Sequence, residues 1–112
     1  MAIEHAQSGE VIDIRPLAGK LPESKTQVLI KTEHMEVLRM VLPAGKVIAE
    51  HKARGDITVQ CLEGELKFTS PIGTKTLHAG QMLFLNAAEL HVVEAITDTS
   101  VLVTILLRKK AE

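Results

Sequence analysis

With 112 residues, 13 basic against 14 acidic side chains and a formal net charge of -1, the chain has room for one domain with a real core. It offers no electrostatic case for a nucleic-acid partner or an anionic membrane. The single cysteine, Cys61, excludes an intrachain disulfide framework and suits a reducing compartment.

No N-terminal basic-then-apolar segment and no uncharged apolar run of bilayer-spanning length is present, so the expected setting is soluble and cytoplasmic. Trp and Tyr are absent, and Phe68 and Phe84 are the only phenyl rings. That weighs against a site built to stack a large flat ring.

In chain order, "MAIEHAQSGE" is small and polar and reads as a flexible tail over residues 1–10. "VIDIR" alternates apolar and polar residues, the period-two sign of a strand. "PLAGKLPESK" holds two Pro and a Gly, which predicts a loop with at most a short helical turn. "TQVLIKT" and "MEVLRMVL" read as two strands, "PAGKV" as a turn, and "VIAEH" as a short strand. "ITVQCLE" and "ELKFTS" flank Gly64 as strand, turn, strand. "PIGTKT" reads as a further turn region, and "QMLFL", "LHVVEA" and "SVLVTILLR" complete the series of short strands. No stretch sustains a helical apolar period, so the expected fold class is an all-β sandwich or barrel in a single domain over 1–112.

Strand phase says more. Ile57, Val59 and Cys61 share one face of "ITVQC", which should point inward and carry the thiol with it. The last strand is apolar on both faces, with Val101, Val103, Ile105 and Leu107 opposed to Leu102 and Leu106. "MEVLRMVL" behaves alike. Something must cover the outer face. A homodimer is the favoured answer; the alternative is a sandwich sealed by the chain's own N-terminal segment.

Two spaced glycine–histidine patterns then stand out. Gly45 is followed by five residues and His51, and Gly64 closes the same stretch; Gly80 is followed by five residues, "NAA", two residues and His91. On these residues the chain resembles the cupins, small jelly-roll barrels with two short motifs, over about residues 35–107. The resemblance implies a jelly-roll barrel with a metal-ligating cavity. Carried over position by position, it makes His51 and His91 metal ligands, while the second histidine position is Ala53 and the glutamate position is Ile57. The proline, glycine and asparagine positions of the second motif are Asn86, Ala88 and Ala95. Two of four family ligands remain, both imidazoles, whereas catalytic Zn or Fe commonly keeps three protein ligands. His34 shares the phase of Leu38, Met40 and Leu42 and is the candidate third ligand. Cys61 lies four residues past the glutamate position, roughly 13 Å along a straight strand, and is better read as a small buried hydrophobe. His5 and His78 read as tail and turn residues. Arg54–Asp56 spells "RGD", read here as a turn near the cavity mouth.

The leading function is a small-molecule-binding protein whose apolar cavity has His51 and His91 as polar anchors. A divalent metal (Zn, Fe, Ni or Mn) would be held weakly by the pair. The alternatives are a metal-dependent dioxygenase, isomerase or decarboxylase of cupin type, for which a third protein ligand would be expected, and a metal-free barrel acting in sensing or protein interaction.

Overall fold

The computed structural model describes residues 5–51, 55–87 and 89–107, without the side chains of Glu50 and His51. Nine strands and one 3-10 helix, Ala18–Glu23, make up the regular structure. The strands are β1 (Gln27–Lys31), β2 (Met35–Leu42), β3 (Val47–His51), β4 (Ile57–Glu63), β5 (Glu65–Ser70), β6 (Gly73–His78), β7 (Met82–Leu85), β8 (His91–Ala95) and β9 (Thr99–Leu106). They form a five-stranded sheet in the order β1-β2-β9-β4-β7 and a four-stranded sheet in the order β3-β8-β5-β6. All pairings are antiparallel. The helix is far too short to cross a membrane, and none of the described helices is long and apolar enough to do so.

The two sheets face each other across one hydrophobic core. Alternation decides which side chains enter it: Ile57, Val59 and Cys61 of β4 are buried, while Thr58 and Gln60 are only half-buried. Leu66 and Phe68 of β5, and His91, Val93 and Ala95 of β8, enter from the other sheet. Gly64 turns β4 into β5 with φ of +87°, and Gly45 and Gly80 also take positive φ at their turns, a conformation that side chains with a Cβ resist.

The outer face of the five-stranded sheet is covered within the chain only in part: Met82, Phe84 and Leu106 on it are exposed. Val37, Arg39 and Leu102 point away from the core yet are buried. The N-terminal segment crosses above them: the Arg39 guanidinium donates to the Arg15 carbonyl at 2.9 Å. Glu63 accepts the Leu17 and Ala18 N–H groups at 2.8 and 2.9 Å. The N-terminal segment thus packs over Arg39 and Glu63.

Two elements differ from expectation. Val11–Arg15 is not a strand. Alternation suits a sheet edge, but here the segment is pinned by side chains instead: the Asp13 carboxylate folds back on the Arg15 backbone and guanidinium, and Val11 is 96% exposed. Conversely, "PIGTKT" is not a turn region throughout. Gly73–His78 is strand β6, paired with β5 along its whole length from Ser70↔Gly73 to Glu65↔His78. As the edge of its sheet it buries only Leu77, so its polar residues carry no alternation that could mark it.

Candidate functional site

Between the sheets lies a cavity of about 220 Å³. β2, β4 and β9 supply one wall through residues such as Met40, Ile57 and Val103; β3, β5 and β8 supply the other through Ile48, Phe68 and Val93. Among the described residues that line it, His91 alone brings a nitrogen; the rest are hydrocarbon apart from the thioether of Met40.

His91 opens β8 and is 3% exposed. Its Nδ1 lies 3.1 Å from the carbonyl oxygen of Glu89. A carbonyl only accepts, so Nδ1 carries a proton. The imidazole also stacks on Phe68, with ring centroids 5.1 Å apart and planes 18° from parallel. The ring orientation is thus fixed. Asp56 steadies the approach to β8: its carboxylate accepts the Ala87 N–H at 2.8 Å, and its carbonyl accepts the Leu106 N–H at 2.9 Å.

The β3–β8 ladder places His51 directly opposite His91. This is not what plain alternation would do. Ile48 pairs with Val93 and lines the cavity, so strict period two would put Glu50 in its phase. A β-bulge between Ile48 and His51 inserts one residue and brings His51 into register with His91 instead. Bulges commonly re-aim a position beside a functional site. The His51 side chain, and Ala53, Arg54 and Ala88, lie outside the described residues.

The other candidates are placed elsewhere. His34 is exposed at the bend between β1 and β2 and does not line the cavity; its carbonyl accepts the Leu107 N–H. The chain leaves the ladder at Thr32, so the phase it shares with Leu38 ends before His34. Ile57 does face the cavity, a hydrocarbon at the family's carboxylate position. Cys61 is buried in the core beyond the cavity lining. Burial pushes its thiol pKa up, and its Sγ lies 3.5 and 3.6 Å from the Gly64 and Glu63 carbonyls. Gly55 of the "RGD" turn is buried against β9, where a Cβ would lie 1.6 Å from the Leu106 carbonyl oxygen. His5 and His78 are exposed.

Among the described residues no three of His, Cys, Asp and Glu converge on one point. Of the metal ligands expected from the resemblance that reach the cavity, His91 alone has a described side chain; its Nδ1–H is clamped by a backbone carbonyl, the usual outer contact of a ligating histidine, and the described wall around it is hydrocarbon. Sequence reasoning found His91 and Ile57. It did not find the stacked Phe68, the Glu89 carbonyl or the bulge. Phe68 shares the phase of Leu66, so its inward aim was legible, while its partner depended on strand pairing.

No protein-family model matches the chain, and no curated protein matches it. Solved structures do. A conserved protein of unknown function from Streptococcus pyogenes aligns at 19% identity over 98% of this chain and 97% of its own, with a TM-score of 0.74. A cupin superfamily protein from Desulfitobacterium hafniense aligns at 17% identity over 92% and 100%, with a TM-score of 0.75. An RmlC-like cupin with a double-stranded β-helix fold from Methanocaldococcus jannaschii aligns at 17% over 91% and 94%, with a TM-score of 0.71. The chain has the fold of a small cupin, a jelly-roll barrel built as a double-stranded β-helix.

Proposed function

We propose that the chain is a binding protein for a compact, largely apolar small molecule, held in the cavity with one polar group at the histidine end. The observation that carries this is a fixed imidazole that, among the described residues, is the one polar side chain in an apolar cavity. An apolar cavity of about 150 Å³ can hold a benzene ring. A cavity of about 220 Å³ suits one ring with a short substituent, or a branched chain of similar bulk. The tautomer limits the polar group. Nε2 of neutral His91 accepts a hydrogen bond or ligates a cation, so it selects a hydroxyl or amine on the ligand, or an anionic group bridged by a metal.

His91 and His51 would hold such a divalent metal, which would supply positive charge for an anionic ligand group. Two imidazoles with no carboxylate make a weak site. That favours binding over catalysis, because the described residues of the cavity offer no carboxylate as a general base.

The test is calorimetric titration of benzyl alcohol and of benzoate, each with and without Zn²⁺, into the wild type and Val103→Phe. Saturable one-to-one binding of the alcohol without metal, and of benzoate only with metal, supports the proposal. Both should vanish in Val103→Phe, which fills the cavity. Binding that survives Val103→Phe places the ligand elsewhere and sinks it.

A further inference from the structure

A second cluster lies on the opposite face of the five-stranded sheet, remote from the cavity. Arg39 sits mid-strand in β2, facing outward, beneath the N-terminal segment. It is 9% exposed. One terminal nitrogen donates to the Arg15 carbonyl at 2.9 Å. Its Nε is buried and has no hydrogen-bond partner among the described residues. A buried, charged donor left in that state costs free energy, and a protein retains such a group where something else completes it.

The nearby carboxylates do not complete it. Glu63 spends its oxygens on the Leu17 and Ala18 N–H groups and the Ser100 hydroxyl. Asp13 spends its own on Arg15. Space is available instead. Arg39 forms a wall of a cleft of about 420 Å³ that is also lined by Arg15 and Lys20, and of a neighbouring cleft lined by Lys25. Asp13 lies in the first cleft too, where Arg15 neutralises it. Against Asp13 and Glu63, the cations Arg15, Lys20 and Arg39 leave a surplus of positive charge before Lys25 is added.

From this geometry we infer an oxyanion-binding site in the cleft, where a phosphate or carboxylate group pairs with the Arg39 guanidinium in the cleft wall and with the Lys20 ammonium, a small shift of the N-terminal segment opening the buried Nε–H to it. An arginine fork is well suited to either group. Binding would also tie the N-terminal segment to the sheet, since the same guanidinium already holds the Arg15 carbonyl. The site does not depend on the cavity ligand.

The experiment is a titration of full-length protein in chloride buffer, following the Arg39 Nε–Hε signal by NMR. Inorganic phosphate is one probe and succinate the other, which separates the two oxyanion classes. The expected result is a saturable shift with one of them at one equivalent. Lys20→Gln, an exposed change that leaves the fold intact, should weaken binding several-fold. Arg39→Met, which lacks that signal and is read by calorimetry instead, should weaken binding at least about tenfold, and His91→Ala should leave it unchanged. No saturable shift with either probe, or binding indifferent to both Lys20→Gln and Arg39→Met, overturns the inference and leaves a water-filled gap.

Discussion

Ile57 is the residue on which the chemistry of the cavity turns. It lies in the cavity wall at the position where the family resemblance implies a carboxylate. Replacing Ile57 with Glu restores an oxygen donor near His91. Without metal the buried carboxylate should cost about 3 kcal/mol. Added Zn²⁺ should recover much of that, with near-stoichiometric zinc in the variant by elemental analysis and far less in the wild type. Absence of zinc from Ile57→Glu would show that the register of His51 with His91 does not build a metal pole.

Glu63 makes a separate prediction at the same scale. Burial raises its pKa, but the hydrogen bonds from Ser100, Leu17 and Ala18, with the charge of Arg39, outweigh that and hold the carboxyl below its ordinary value of 4.5. A depressed folded-state pKa adds stability above the unfolded value, and that stability is lost as pH falls through the folded value. Glu63→Gln should therefore cost about 1–2 kcal/mol at pH 7 and progressively less as the pH falls below 4.5, measured by urea unfolding. A cost that does not change over that range would mean that the charge is irrelevant.

Elements are held in place by a few backbone positions. A Cβ at Gly64 would lie 2.3 Å from the Asp98 carbonyl oxygen and 2.6 Å from Thr99 Oγ1, at a φ of +87°. Gly64→Ala should cost more than about 3 kcal/mol. Gly80 has similar φ but open space around it, so Gly80→Ala should cost only about 1–2 kcal/mol. Comparable losses in thermal denaturation would refute the steric account.

Strong alternation in "ITVQC" made β4 legible, because its inner face is buried, and the run of apolar residues on both faces of "MEVLRMVL" made β2 legible. β6 was not, because an edge strand in contact with solvent has no need of apolar alternation. "VIDIR" misled for the opposite reason: it alternates, but tertiary anchors at Asp13 and Glu63 hold its neighbourhood in place without a ladder. At the site, His91 and Ile57 could be placed from spacing and phase. The bulge before His51 could not, since an inserted residue leaves no mark in a five-residue strand.

For the whole molecule, two sheets close around an apolar space whose one polar wall group among the described residues is His91. The N-terminal segment packs on the back of the larger sheet at Arg39, while Met82, Phe84 and Leu106 on that face stay exposed. The cavity can then remain partly empty at the centre, at a cost in packing that a ligand would offset. A saturating ligand at about a hundred times its dissociation constant should add about 2.7 kcal/mol to stability, visible as a rise in melting temperature. The most direct measurement is methyl NMR of the wild type during titration with benzyl alcohol. The account predicts saturable shifts at Ile57, Val93 and Val103, which line the cavity, with none at exposed Val11 and Ile72. Shifts confined to the surface methyls, or none up to the solubility limit, would contradict it.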